Sequence, residues 1–395
     1  MNLRNIFLRN VAQTSSAPMG LEIAEAQGLY LIDKAGKKYM DLISGIGVSV
    51  LGHQHPAVVK AVKHQVDRYM HTLVYGEFIL SPQVLYAQKL TEQLAPSLNS
   101  VYFVNSGTEA TEGAIKLARR YTGRAEILSC YESYHGSTTG AMALNSDHYF
   151  TRPYRPLMPG VRHIRFNNTE DLKMITEQTA AIIIEPVQAE KGVYSPDPDY
   201  LKRLEQRTQE TGSMLVFDEI QTGFGRTGQL FAHQEYGVVP DIMLIAKGMG
   251  GGMPIGAFIS DKKIMDSFTS NPVLGHITTF GGHPVNCAAA LATLETLLEG
   301  NLIDEVPEKE NILRTKLVHR HIRELRTAGL WAAIEVESPE MLHTIIARCL
   351  EAGLILDWFL FNEKSLRLAP PLTITVDELE NVCERIVNIL EHIVP

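Results

Sequence analysis

The sequence has no basic run. Its 45 acidic residues outnumber its 36 lysines and arginines, for a formal net charge of −9. Nucleic acid and anionic membrane surfaces recruit clustered positive charge, so neither is an expected partner. Long apolar runs are missing too, and none approaches the roughly 20 residues of a bilayer-spanning helix. The N-terminus, "MNLRNIFLRNVAQTSSAP", lacks the apolar core of a secretory signal. Its arginines and early lack of acids give a weak likeness to a transit peptide, but a short helix of the mature chain is the expectation. Cysteine is scarce: Cys130, Cys287, Cys349 and Cys383 are scattered, with no CxxC. That argues against a disulfide framework or a zinc site and fits reduced thiols in a cytoplasm. There is no internal repeat and no low-complexity tract.

What is present is ordinary globular composition, 45% hydrophobic and 21% charged, in a 395-residue chain long enough for a large core and two lobes. Residues 20–45 read as an antiparallel meander turned by Gly28 and by "KAGK". Beyond them, helical stretches (57–70, 82–95, 109–121, 199–211) alternate with apolar runs at 101–104, 125–130, 180–185, 214–219 and 242–247. Continuous apolar runs between helices predict an α/β fold, its largely parallel sheet covered on both faces. A domain boundary is expected at 285–300, with no flexible linker to mark it.

Ligands of such sheets bind at the carboxyl ends of the strands. Asn105, Ser106, Gly107, Thr108, Glu185, Asp218, Glu219 and Lys247 all fall there. Ser106-Gly107-Thr108 would open a helix and offer its N–H groups to an anion. The same turn reads as a capping box of Ser106 with Glu109, and one turn can do both. Asp218 ends an apolar run, where a carboxylate needs a cation, so a structural ion pair is the plain alternative. Lys247 could snorkel to solvent. Held in a drier pocket, it would be a neutral nucleophile able to form a Schiff base. It precedes the glycines of "KGMGGG", which is therefore no Walker loop.

Two formal motifs are set aside. Gly223-x-Gly225-x-x-Gly228 matches the dinucleotide fingerprint, but its glycines begin five residues after Asp218, and the next acid, Asp241, starts a strand. His53-x-His55 and His319-x-His321 have short spacings. The second pair is expected on a helix, where i and i+2 diverge, so zinc is not expected. A phosphate site, a strand-end acid and a strand-end lysine together suit pyridoxal phosphate (PLP). The acid keeps the pyridine nitrogen protonated and the lysine holds the aldehyde.

With these residues in place, the sequence resembles the class III (ornithine/acetylornithine-type) aminotransferases of PLP fold type I. "SGIGVSVLGHQHP", "FVNSGTEATEGAIKLAR", "YHGST", "IIEPVQAEKGV", "FDEIQTGFGRTG", "AKGMGGGMPIGA", "HITTFGGHP" and "LRLAPPL" follow the family's order over nearly the whole chain. The resemblance implies a large PLP-binding domain (51–290) with a mostly parallel seven-stranded sheet. It implies a smaller α+β domain (291–395), joined by the N-terminal segment (1–50). Lys247 would be the Schiff-base lysine and Asp218 the partner of the pyridinium nitrogen. Ser106, Gly107 and Thr108 would cradle the phosphate, Tyr134 and Ile220 would cover the two ring faces, and Gln221 would approach the phenolic oxygen. Glu185 is placed beside the cofactor. Thr279 would reach the phosphate of a neighbouring subunit, which implies a homodimer with shared active sites.

On the substrate side the resemblance implies Arg367 for an α-carboxylate and Glu190 as its cover when an ω-amine enters, with Tyr75 and Ser137 nearby. Three positions depart from the family. Ser137 stands where the ornithine and acetylornithine subgroups carry an arginine, Ala189 replaces a glycine, and His283 replaces an asparagine. Arg152 or Arg155 is the candidate for a substitute cation. The expected activity is ping-pong transfer of an amino group to a 2-oxo acid, 2-oxoglutarate first. The expected donor is an ω-amine such as ornithine, acetylornithine, 4-aminobutyrate or lysine. The alternatives are an aminomutase or decarboxylating transaminase on the same fold, or a nicotinamide-dependent oxidoreductase using the 223–228 glycines.

Overall fold

The computed structural model describes residues 3–393. An exposed helix, Leu3–Asn10, precedes β1 (Ile23–Gln27), β2 (Tyr30–Asp33) and β3 (Lys38–Asp41), which form the expected antiparallel meander. The central sheet contains β4 (Ser100–Val104), β5 (Glu126–Cys130), β6 (Val161–Ile164), β7 (Thr179–Ile184), β8 (Met214–Asp218), β9 (Ile242–Ile245) and β10 (Gly256–Ser260). Its seven strands lie in the order β4-β10-β9-β8-β7-β5-β6. β5 to β9 pair in parallel, and only β10 runs against its neighbours, β4 and β9. β7 to β10 are buried throughout, because helices cover both faces, and most therefore read as unbroken apolar runs.

β6 and β10 do not stand out in the sequence. β6 is a four-residue edge strand whose pattern, "VRHI", carries two polar residues. β10, "GAFIS", follows the glycine-rich turn so closely that it reads as the end of that loop. The helices Pro56–Arg68, Ser81–Thr91, Gly107–Thr122 and Tyr200–Thr211 fall where the periodicity puts them, three of them starting a residue or two early.

The C-terminal region adds β11 (Glu324–Thr327), β12 (Ala332–Glu335), β13 (Leu354–Ile355), β14 (Asp357–Phe359) and β15 (Asn362–Leu368). Four of these form an antiparallel sheet in the order β11-β12-β15-β14, while β13 pairs in parallel with β3. The meander is thus completed by a strand from near the other end of the chain. One apolar cluster runs from Leu29 to Ile393 and ties these parts together through the helix Pro284–Glu299.

One expectation fails here. His319 and His321 are not helical. The preceding helix ends at Lys316, where Leu317 leaves it with ψ 66, and both histidines fall in the turn before β11. Val318 and the histidines are weaker helix formers than Leu313, Arg314 and Lys316 before them. Among the described residues no group of three or more His, Cys, Asp or Glu could hold a metal, all four cysteines are free and buried, and no helix is long and apolar enough to cross a membrane.

Candidate active site

Five strands, β4, β5, β7, β8 and β9, end at one edge of the central sheet, and their outgoing loops enclose a cavity of about 490 Å³. Ser106, Gly107, Thr108, Tyr134, Ser137, Glu185, Asp218, Ile220, Gln221 and Lys247 all line it. The sheet topology thus brings together residues spread over more than a hundred positions of sequence. Glu219 turns away, and its carboxylate accepts the N–H groups of Ala232 and His233 inside the core.

The helix Gly107–Thr122 starts at the cavity. The Ser106 hydroxyl accepts the Glu109 N–H at 3.3 Å, so the cap is real. The return bond of a capping box is displaced by one residue: the Glu109 carboxylate takes the Asn105 N–H at 2.7 Å. The first N–H groups of the helix have no partner within it and face an anion site of positive potential. Gly107 keeps this turn close to the floor, since a Cβ there would stand 2.8 Å from Ile220 Cδ1.

Asp218 ends β8 nearly buried. Its Oδ2 lies 2.7 Å from His135 Nδ1, and its Oδ1 accepts the Ile220 N–H at 3.0 Å. His135 therefore fixes where this negative charge points. Burial pulls the imidazole pKa down, but the bond to Asp218 and the nearby Glu185 raise it on balance. Glu185 is pushed up to about 7, chiefly by burial, although it accepts N–H bonds from Tyr134 (3.1 Å) and Ala189 (2.9 Å).

Lys247 begins a tight turn just past β9, with a left-handed φ of 45°. Its amine is lowered to about 8, first by burial, with Glu190 opposing and Arg367 reinforcing the shift. A lysine of that pKa keeps a neutral, nucleophilic fraction of roughly one tenth at pH 7, far more than an ordinary lysine does. The glycines after it serve close packing, because a Cβ at Gly251 would meet Thr293 Oγ1 at 2.2 Å.

Beyond Gln221 lies a buried ion pair. Arg367 donates from Nη1 to Glu190 Oε1 at 3.1 Å and from Nη2 to Oε2 at 2.9 Å, and both side chains are 4% exposed. Gln221 Nε2 and the Leu360 N–H also donate to the Glu190 carboxylate, at 3.2 and 3.0 Å. Burial pushes the Glu190 pKa up, but Arg367 and Lys247 more than offset this and hold it below the usual range. The Phe359 ring lies 4.6 Å from the guanidinium carbon, and Asp357 Oδ1 lies 3.2 Å from Nε.

Glu190 and Arg367 stand behind Gln221 rather than lining the cavity, and two further expected residues are not brought to it within the chain. Tyr75 lines a separate one of about 240 Å³ with Gln83, Tyr102 and Gly281. Thr279 is exposed on the segment beside it. Neither Arg152 nor Arg155 lines the space beside Ser137, and Arg155 Nη2 instead meets His148 Nδ1 at 3.1 Å. Ser137 itself sits 2.9 Å from the Tyr134 hydroxyl. The Ala189 methyl fits a small apolar cluster with Val187, Val193 and Trp331, and His283 stacks on His71 at 5.5 Å. The glycines at 223–228 form no nucleotide cradle. A Cβ at Gly225 would touch Leu372 and Ile303, and Arg226 donates to the carbonyls of Leu330 and Pro370, so this turn is a joint with the C-terminal region.

His135 and Asp357 were not singled out from the sequence. His135 lies inside "YHGST", and adjacency to Tyr134 was a usable signal. Asp357 meets Arg367 only through the β14–β15 register, which the sequence does not display.

An N–H-rich helix start, a carboxylate fixed by His135 and a lysine of lowered pKa around one cavity are a donor set that fits the phosphate, the ring nitrogen and the aldehyde of PLP. Residues 11–390 match the family described as "Aminotransferase class-III". The acetylornithine aminotransferase of Methanopyrus kandleri is 39% identical over 374 residues, 93% of this chain and 94% of that protein. The ornithine aminotransferase structure from Toxoplasma gondii superposes with TM-score 0.91 at 28% identity, covering 98% of this chain and 94% of that one. The taurine:2-oxoglutarate aminotransferase of Bifidobacterium kashiwanohense, solved with PLP and glutamate, gives TM-score 0.91 at 29% identity, covering 98% and 97%. The chain belongs to the class-III aminotransferases and is a PLP-dependent transaminase of fold type I.

Proposed function

We propose that this transaminase moves the terminal amine of a diamine or ω-amino acid to a 2-oxo acid, 2-oxoglutarate first, in two alternating half-reactions. The donors in view are ornithine, acetylornithine, 4-aminobutyrate and lysine. The observation that carries this reading is the buried Glu190–Arg367 pair beside the Lys247 cavity. With the pair closed, no guanidinium is free, and the site suits a donor whose reacting carbon bears no carboxylate. With Glu190 turned aside, the planar fork is open to the α-carboxylate of the 2-oxo acid. The structural relatives include an ornithine aminotransferase and a taurine:2-oxoglutarate aminotransferase, which supports the same class.

When bound, PLP supplies an electron-accepting ring conjugated to the reacting carbon. The chain does the rest. Asp218, aimed by His135, holds a negative charge at the ring nitrogen. The start of the helix at Gly107 and Thr108 anchors the phosphate, while Tyr134 and Ile220 wall the ring. Lys247 would hold the aldehyde through Nζ, and its free amine would take up and return a proton as base and then acid.

The reading includes a second copy of the chain. Exposed Met70, Phe78, Ile79, Val273, Ile277 and Phe280 lie on two segments that meet where His71 packs against Phe280, and this apolar face carries Tyr75 and Thr279. Such a face supports a covering protomer. The test of function is a donor panel (ornithine, acetylornithine, lysine, 4-aminobutyrate, diamines, β-alanine) with 2-oxoglutarate and pyruvate. Turnover of at least one ω-amine is expected, and activity confined to plain α-amino acids would overturn the proposal.

A further inference from the structure

We infer that Asp357 is a second seat for the Arg367 guanidinium, a positioning residue that keeps the fork aimed at a substrate carboxylate after Glu190 lets go. The inference rests on the proposed exchange between Glu190 and an α-carboxylate.

β14 and β15 are antiparallel, and their register sets Asp357 directly opposite Arg367. Asp357 Oδ1 lies 3.2 Å from Arg367 Nε, with the two side chains 20% and 4% exposed. Yet both atoms are buried without a hydrogen-bond partner. They are close but misaligned while Nη1 and Nη2 are engaged by Glu190 and Nη2 also by the Trp358 carbonyl at 2.8 Å. A buried donor and acceptor left this way are an unmet cost of the closed arrangement. Release of the fork lets the guanidinium turn on the Phe359 face until Nε–H points at Oδ1. The bond that forms fixes the plane and tilt of the fork, which is what bidentate carboxylate binding requires.

Charge alone does not explain this role. The negative charge of Asp357 repels Glu190 and an incoming carboxylate alike, so it largely cancels from their exchange. The hydrogen bond does not cancel, because only the open arrangement makes it. The nearby Asp41 cannot substitute, since its carboxylate is held by His53 at 2.9 Å and by the N–H groups of Ile43 and Gly45.

The experiment compares wild-type holoenzyme with Asp357→Ala and Asp357→Asn, following each half-reaction separately by absorbance. An ω-amine donor from the panel drives one half and 2-oxoglutarate the other. Asp357→Ala is expected to raise the half-saturation for 2-oxoglutarate about tenfold, the scale of one lost hydrogen bond, with the ω-amine half-reaction within about twofold. Asp357→Asn keeps an acceptor oxygen and should stay within about threefold of wild type for 2-oxoglutarate. An unchanged half-saturation in Asp357→Ala overturns the inference. So does an equal loss in both halves, which would mean general damage, or an Asn variant as weak as the Ala variant, which would mean charge. If wild type turns over no ω-amine, the functional proposal has failed instead, and glutamate with 2-oxoglutarate still reads the Asp357 effect.

Discussion

At the scale of single residues, Lys247 gives the sharpest expectation. With its amine lowered to about 8 by burial, it loses its proton well below the ordinary 10.5. Apoenzyme labelled with a limiting amine-acylating reagent should show Lys247 reactivity rising with a midpoint close to pH 8, and a midpoint above 10 would contradict the buried environment. Asp357 gives a stability test. Burial pushes it from 3.8 to about 6, with Arg367 opposing. Between those values the unfolded carboxyl ionises while the folded one resists, so rising pH costs folded stability across that window, and the cost is complete above 6. Asp357→Asn should therefore raise the apoenzyme Tm more at pH 8 than at pH 4, and an equal or smaller gain at pH 8 would refute the shift. Lys247 and Asp218 were legible in sequence because each is a charged residue at the end of an apolar run. His135 and Asp357 were not, because each acts through a partner that only folding supplies: 83 residues away for His135, and a cross-strand register for Asp357.

At the scale of elements, we propose that substrate choice is concentrated in the loop after β5. It delivers Tyr134 and Ser137 to the boundary between the Lys247 cavity and a second space of about 550 Å³, walled by Phe150, Tyr154, Leu157 and Leu360, with Thr14 and Asn145 contributing polar groups. On the proposed function, the side chain at 137 would face the part of the substrate that extends beyond the reacting carbon. Ser137→Arg would place a guanidinium in that space. It is expected to raise kcat/KM for ω-amines ending in a carboxylate, relative to their amides, by about tenfold, as a charge-assisted bidentate contact can. No change in that ratio would show that the far end of the donor lies elsewhere. The parent strands were readable to within a residue or two, because burial on both faces leaves a continuous apolar run. What lies beyond Ser137 was not, since Thr14, Phe150 and Leu360 reach that space from three separate parts of the chain.

At the scale of the whole molecule, the unfinished surface is the apolar face carrying residues 70–79 and 273–280. Ile79 is 93% exposed there, beside Phe78 and close to the His71–Phe280 contact. A solitary protomer would leave these side chains in water, without the roughly 0.8 kcal/mol that each methylene contributes once buried. A two-fold partner covers the same patch on both copies, because an isologous interface uses one surface twice. That face also presents Thr279 and the Tyr75 cavity, so covering it would bring a threonine and a tyrosine toward the partner's site rather than toward their own. Ile79→Asp places a charge in the middle of the patch. Sedimentation should then show a shift from twice the chain mass toward the 43.9 kDa monomer, with unchanged far-ultraviolet circular dichroism. If the phosphate site is shared, PLP retention should fall in parallel with dimer loss and return at high protein concentration. A wild-type protein that sediments as a monomer while retaining full PLP would remove the shared-site argument, and Thr279 and Tyr75 would then need another explanation for their place on that face.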